Sequence, residues 1–178
     1  MKRTIFFCLL LSVVVNVYGQ SDTSFEPGVE ILQEDSSFIV ANNSRILFIF
    51  KDDLHLVNFY KDLEKKLKKQ FKKSSLKIGF EYKLDARNPL SSDLKSLPKK
   101  KLDKAKFEYF ITVSISDIKG WDNDTIEKRK QQFLISLGLR ANSSEDEFAS
   151  VQIQVNTYNT LLTQNIKVGE VIFASITK

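Results

Sequence analysis

A continuous apolar run followed by an amphipathic helix is the clearest pattern in the chain. Residues 45–50 (RILFIF) have strand length and no polar break after the first position, which favours a strand buried on both faces. Between residues 54 and 73, apolar side chains recur at the 3.6-residue period with lysines opposite: Leu56, Phe59, Tyr60, Leu63, Leu67 and Phe71. We expect Asp52 or Asp53 to cap this helix, because a carboxylate accepts hydrogen bonds from first-turn amides.

Alternation of apolar and polar residues predicts the strands that follow the helix. Residues 76–82 place large apolar side chains at every second position, and residues 107–118, 133–139 and 151–155 repeat this pattern. Ile166, Val168, Ile172, Ala174 and Ile176 also share one parity. Each segment is therefore expected to form a strand with one buried face, and the last four are expected to form an antiparallel meander.

These elements together predict an α+β fold. It is a two-layer sandwich, in which a β-α-β unit precedes the meander and the helix at 54–73 packs on the sheet. Short apolar pieces at 29–32 and 38–40 are expected at the sheet edge, and a short helix is expected to start near Ser91 or Ser92. The meander should leave one polar face in solvent, formed by Thr112, Ser114, Gln152, Gln154 and Asn156.

The first nineteen residues have the layout of a secretory signal peptide. Two basic residues precede an apolar stretch at 5–17, which is too short to span a bilayer as a helix, and small residues end at Gly19. We expect cleavage between Gly19 and Gln20, with an uncleaved anchor as the alternative. The exported chain would then have a flexible lead-in at 20–28 and a single domain at 29–178.

Cys8, the only cysteine of the chain, lies inside this apolar stretch. A bacterial lipoprotein signal has a small residue directly before its cysteine, and Phe7 stands there instead. We therefore expect a periplasmic or secreted protein without a lipid anchor. Cleavage would also leave no thiol and no disulfide, so the core alone would have to hold the domain together.

Composition places the chain among globular proteins, and charge divides it into three parts. With 42% hydrophobic and 28% charged residues, it is neither a disordered segment nor a collagen-like or disulfide-rich scaffold. Residues 20–53 carry two basic and seven acidic side chains, residues 54–106 sixteen and six, and residues 107–178 seven and nine. The middle part is therefore a basic island, and Arg87 is its only arginine.

The lysines of this island are the candidate binding residues. Readout of phosphates and bases usually relies on arginine, so a lysine island on an exported chain does not indicate nucleic acid. Such runs commonly form a solvated face, and the functional alternative is attraction to an anionic membrane or glycan surface. The candidate contacts are Lys61, Lys65, Lys68, Lys69, Lys72, Lys73, Lys99, Lys100 and Lys101.

Residues that carry catalysis or bind metals are scarce. The single histidine, His55, lies in the first turn of the predicted helix, and we interpret it as a surface residue. The segment 122–124 offers oxygen ligands but lacks the glycine and glutamate of a complete EF-hand loop, which favours a turn. Trp121 beside it is expected to anchor a loop, with sugar stacking as the alternative.

The sequence therefore predicts no enzyme, no cofactor and no bound metal. Paired carboxylates that meet only in three dimensions leave a hydrolase of envelope polymers as an alternative.

The segments ILFIF, FYKDLEKKLKKQF, YFITVSIS, FLISLGLRAN and VQIQVNTYN follow one another between residues 44 and 176. This order resembles the small α/β domains of bacterial envelope proteins, such as the amino-terminal domain of the TolB family and the periplasmic domain of the curli-secretion channel family. The resemblance implies a non-catalytic role in binding or assembly, and it transfers no individual site residue. The leading hypothesis is a non-enzymatic protein that binds another envelope protein through its polar strand face or an unpaired sheet edge. The sequence leaves the oligomeric state open.

Overall fold

The computed structural model describes residues 25–85, 102–120, 130–158 and 160–178. Two short 3-10 turns, Leu54–Leu56 and Leu161–Gln164, each lead into an α-helix. In chain order the strands and helices are β1 (Gly28–Glu34), β2 (Arg45–Asp53), α1 (Val57–Phe71), β3 (Lys77–Asp85), β4 (Tyr109–Lys119), β5 (Lys130–Ala141), β6 (Ala149–Tyr158) and α2 (Asn165–Ile176). The predicted signal peptide, the predicted helix near Ser91 and the predicted turn beside Trp121 lie outside the described residues.

The six strands form one mixed sheet in the order β1-β6-β5-β4-β2-β3. Strand β2 runs parallel to both of its neighbours, β3 and β4. The remaining pairs, β4 with β5, β5 with β6 and β6 with β1, are antiparallel. The sheet therefore combines a parallel part built on the β-α-β unit with an antiparallel part, and β1 and β3 form its two edges.

Both helices pack on the same face of this sheet and form the main core with it. All six residues of the predicted helical stripe are buried, and Phe59 packs edge-on against Phe133 at 5.7 Å between ring centroids. The two helices also contact each other, with the rings of Phe71 and Phe173 4.9 Å apart. The predicted two-layer α+β sandwich is confirmed, and so is the position of the helix on the sheet.

The predicted strand at 45–50 is confirmed as a strand buried on both faces. Ile46, Phe48 and Phe50 point into the helix-covered core and are completely buried. On the other face, Leu47 and Ile49 form a second, smaller cluster with Phe110, which Leu102 and Phe107 partly cover. Leu102 and Phe107, which precede β4, thus partly cover this end of the sheet.

The predicted fourth strand of the meander is wrong, because residues 165–176 form the helix α2. The buried positions are 165, 168, 169, 172, 175 and 176, which is helical spacing, whereas Ile166 is 54% exposed. Residues 168, 172 and 176 lie four apart, and a spacing of four fits both strand and helix periodicity. Strand β1 occupies the sheet position next to β6 instead.

Two smaller expectations are also corrected. The segment 38–40 forms no strand, although Phe38 and Val40 are buried. The cap position of α1 is Leu56, not an aspartate, because β2 continues through both aspartate positions, and Leu56 makes no side-chain capping bond. The 3-10 turn between the strand and the helix separates the aspartates from the first helical amides.

Candidate interaction surfaces

The face of the sheet opposite the helices carries a polar surface, which we call the open face. The five side chains predicted to form a polar strand face do lie on it. Thr112 is 9% exposed, whereas Gln152 is exposed. Most of the residues that form the open face across β4, β5 and β6 are uncharged: Thr112, Ser114, Ser116, Gln132, Leu134, Ser136, Ser150, Gln152, Gln154 and Asn156. Charge lies towards its ends, at Lys130 and at Arg140, whose guanidinium is 4.2 Å from the ring centroid of Phe110, and the carboxylate of Glu147 lies over Gly138.

Strand register aligns these side chains in rows across the sheet. Ser114 pairs with Ser136, which pairs with Gln152, and the neighbouring row runs from Ser116 through Leu134 to Gln154. The amide of Gln132 donates a hydrogen bond of 3.1 Å to Asn156. Amide and hydroxyl side chains both donate and accept hydrogen bonds, so the part of this face around Ser136 and Gln152 can bind a polar partner through neutral groups.

Towards β3 the open face becomes apolar and is covered. A Cβ atom at Gly79 would lie 2.6 Å from the ring of Phe107, so glycine is the residue that lets this ring lie flat on the strand. The ring in turn belongs to the cluster around Leu47 and Ile49. The packing of Phe107, from the segment before β4, therefore explains why Gly79 stands in the middle of β3.

A cleft of about 450 Å³ follows the outer side of β3. Its floor is the strand itself at 78–80, one wall is the helix α1 at Glu64 and Lys68, and the opposite wall is Leu102 and Phe107. Lys104 pairs with Glu81 at 2.8 Å nearby. The sequence analysis missed this cleft, because its walls come from segments far apart in the chain.

Both edge strands keep one backbone side unpaired among the described residues. Strand β3 pairs only with β2, in an unbroken register of nine residues, and β1 pairs only with β6. The β1 register shifts between Ile31 and Gln33, and Ile31 and Leu32 are 38% and 49% exposed. An unpaired edge can receive a strand from a partner.

Just before β1, Phe25 packs on Tyr158 with ring centroids 5.1 Å apart, which anchors the described end of the predicted lead-in.

The lysines of α1 form a stripe on the side of the helix that faces away from the core. We use "lysine stripe" for the residues Lys61, Lys65, Lys68, Lys69, Lys72 and Lys73. Lys68 contacts Glu64 and lies over the ring of Phe80, 5.4 Å from its centroid. The other five form no ion pair within the described part of the chain. The remaining candidates, Lys99, Lys100 and Lys101, lie outside the described residues.

The lysine stripe has a structural explanation as well as a functional one. Four of its residues lie at or just past the carboxyl end of α1, where the helix dipole favours positive charge. Repeated lysines at four-residue spacing repel one another, however, at about 0.2–0.5 kcal/mol per pair. Because α1 packs on the other face of the sheet, the lysine stripe points away from the open face. The two surfaces could not bind one flat partner together.

Asp52 has a structural role that its sequence position did not reveal. It adopts a φ of 125°, a conformation that side chains other than glycine rarely adopt, and its carboxylate accepts a hydrogen bond from the backbone N–H of Ile115 at 2.6 Å. Strand β4 no longer pairs with β2 beyond Val113, so the carboxylate replaces a missing ladder bond. It also accepts a hydrogen bond from the Tyr60 hydroxyl, and burial together with this carboxylate raises the pKa of Tyr60.

The described residues give no metal cluster, since no three His, Cys, Asp or Glu side chains among them come together at binding distance. His55 is exposed, as predicted, and lines a small cavity of about 220 Å³ together with Phe59, Gln131 and Leu161. Within the described part of the chain, no helix is long and apolar enough to cross a membrane.

Two solved structures of PelC from Paraburkholderia phytofirmans, both dodecamers, share this fold. One, a leucine-to-methionine variant, is 8% identical, with a TM-score of 0.52 and 85% of this chain and 99% of that chain covered. The other is 7% identical, with a TM-score of 0.50 and 86% and 99% covered. At such identities the likeness establishes the fold alone, and neither family named from the sequence is confirmed.

A Helicobacter pylori protein described as a homologue of the neuraminyllactose-binding hemagglutinin has a TM-score of 0.36 at 14% identity, over 78% of this chain and 86% of that one. This score is too low to support an argument about the chain. No family model and no curated protein sequence matches.

Proposed function

We propose that this chain is an exported, non-enzymatic protein of the bacterial envelope that works by protein–protein contact through its sheet. The observation that carries the proposal is the open face, an accessible polar surface opposite the helices whose central residues are uncharged. Both edge strands of the same sheet also keep one side unpaired within the described part of the chain. The predicted signal peptide, the single histidine and the resemblance to envelope domains support an exported protein without catalysis. The dodecamers of PelC add that this fold is compatible with extensive protein contacts.

Site-specific photo-crosslinking in living cells tests the open face directly. A photoreactive amino acid at Gln152 samples the centre of this surface, and the same amino acid at Glu170, exposed on α2, is the matched control. We expect a discrete covalent adduct from position 152 and none from position 170. The absence of an adduct from position 152, and from Ser116 on the same face, would contradict protein contact through the open face.

A second function, binding to an anionic surface, is favoured by one specific observation. Five of the six residues of the lysine stripe form no ion pair among the described residues, so their charge is available to a partner. Interactions of this kind between exposed charges weaken as salt shortens the screening length. The anionic partner would be either the headgroups of a membrane or an acidic glycan.

Sedimentation with vesicles separates these alternatives. The chain is incubated with vesicles of anionic or zwitterionic lipid, and separately with immobilised heparin, at low and high salt. Retention on an anionic surface that disappears at high salt is the expected result, and charge reversal at Lys65, Lys69 and Lys72 should abolish it. Reversal of Lys167, exposed on α2, is the control. Retention that survives the triple reversal would rule out the stripe.

A further inference from the structure

We infer that the partner at the two sheet edges is a second copy of this chain, with β1 of one copy adding to β3 of the next. The inference rests on the proposed contact through the sheet, and it adds the edges used and the identity of the partner. Head-to-tail pairing of this kind would continue the sheet from copy to copy, with the helices of every copy on the same side.

The strand directions permit this arrangement. Strands β2, β3 and β4 run in one direction, β5 runs opposite, β6 returns to the first direction and β1 runs opposite again. The two edges of one molecule are therefore antiparallel to each other. When copies follow one another in the same orientation, β1 meets β3 as an antiparallel pair, which has the better hydrogen-bond geometry of the two pairings.

The pleat of the two edges matches as well. On the helix side, Ile31 of β1 would lie opposite Tyr82 of β3, which lines the cleft. On the open side, Glu30 of β1 would come near Lys83 of β3. Strand β3 has neither proline nor a register shift that would blunt the edge.

Charge complementarity distinguishes a second copy from other partners. Residues 25–44, which include β1, contain four acidic side chains and no basic one. Residues 57–85, which include α1 and β3, contain nine basic and four acidic side chains. The two ends of the sheet therefore carry opposite charge, so identical molecules attract each other end to end and repel each other at like ends.

A contact between two different surfaces of the same chain is heterologous, and such contacts close into rings or extend into fibres. Growth is limited only when the rotation between copies closes the ring. The proposal therefore predicts an assembly larger than a dimer, with a size that depends on charge and salt.

Analytical ultracentrifugation of the full-length gene product, purified as the cell makes it, tests this assembly across a wide concentration range. We expect oligomers that dissociate at high salt. The variants Glu30→Lys and Lys83→Glu should each raise the dissociation constant by about tenfold or more, because each places like charges across the interface. A chain that carries both changes should recover most of the association, because the complementarity is restored with its sign exchanged.

Mixing the two single variants gives the sharpest result. A Glu30→Lys chain keeps a native β3 edge, a Lys83→Glu chain keeps a native β1 edge, and their two altered edges complement each other with the sign exchanged. Neither variant should assemble well alone, whereas the mixture should recover assembly with the two variants alternating. Reversal of Lys167 or Glu170 on α2 is the matched control, and circular dichroism checks that each variant is folded.

Two outcomes overturn the inference. A chain that stays monomeric at every concentration and low salt has no self-association, and the photo-crosslinking at Gln152 then decides separately whether the proposed function stands. Oligomers that are unaffected by both reversals use other surfaces than the two edges.

Discussion

The two faces of the sheet differ most strongly in β6, where successive residues of one strand point to opposite faces. Within β6, Val151, Ile153 and Val155 are completely buried on the helix side, while Gln152 between them is exposed on the open side. Strand β2 has no such contrast, because its second face is closed by Phe107 and its neighbours. Other side chains therefore cover the open face at β2 but leave it accessible at β6. The open face also becomes more polar from β2 towards β6.

This difference separates the residues that stabilise the fold from those available for binding. Burial of apolar area on the helix side supplies most of the folding free energy. The open face between β4 and β6 contributes little to that core, so its composition is free to serve a partner. Substitutions on the two faces should therefore have very different effects on stability, and the partly covered region around β2 and β3 should lie between them.

The largest effect is expected at Phe50. Its ring is completely buried, 4.7 Å from that of Tyr60 and 5.2 Å from that of Tyr82. Phe50→Ala should lower the free energy of unfolding by about 3–5 kcal/mol, because it removes a large apolar side chain and leaves a cavity. Urea unfolding followed by circular dichroism measures this loss. Gln152→Ala on the open face should change it by less than about 0.5 kcal/mol, and equal losses would abolish the distinction between the faces.

The next effect is expected at Asp52, where strand β4 separates from β2. Asp52→Ala leaves the Ile115 amide without its acceptor and should cost about 2 kcal/mol. Asp52→Gly loses the same hydrogen bond but adopts a φ of 125° without strain, so it should be more stable than the alanine variant by about 1 kcal/mol. Thermal unfolding of the two variants gives the comparison directly. If alanine proved the milder change, backbone strain would not be a property of this site.

Sequence periodicity was enough to predict the elements whose two faces differ. Helix α1 has one apolar side and strands β4 to β6 alternate, so the buried set of each could be read from spacing alone. The prediction of a strand in place of α2 was wrong because the spacing of Val168, Ile172 and Ile176 fits both a strand and a helix. The exposure of Ile166 and the burial of Gly169 and Ser175 distinguish the two, and exposure is a property of the folded chain.

The candidate surfaces were predictable in part for a related reason. The polar strand face was correctly predicted because it consists of alternating residues within strands. The lysine stripe was also visible, since it lies within one helix. By contrast, the cleft along β3 and the roles of Asp52 and Gly79 depend on contacts between distant segments. No local pattern encodes such contacts.

An intermediate effect is expected at Gly79, in the covered region of the open face. Gly79→Ala brings a Cβ to 2.6 Å from the Phe107 ring, so the ring must move and the variant should lose about 1–2 kcal/mol. Gly28→Ala at the start of β1 meets no atom within 4 Å and should be neutral within about 0.5 kcal/mol. Chemical denaturation of both proteins provides the measurement. Combining Gly79→Ala with Phe107→Leu should recover part of the loss, and an unchanged loss in the double variant would show that the ring is not its cause.

The smallest effect is expected at the residues of the lysine stripe that form no ion pair among the described residues. Replacing Lys65, Lys69 and Lys72 together by glutamine relieves repulsion along α1 but removes favourable charge near its carboxyl end, and these terms are of similar size. The triple variant should therefore unfold within about 0.5 kcal/mol of the original chain at low salt, and the difference should vanish at high salt. Lys68→Gln is the informative contrast, because it breaks the contacts with Glu64 and Phe80 and should cost about 0.5–1 kcal/mol. If the stripe can be neutralised without loss of stability, its charge affects binding rather than folding. A large loss of unfolding free energy in the triple variant would instead show that these lysines stabilise the fold.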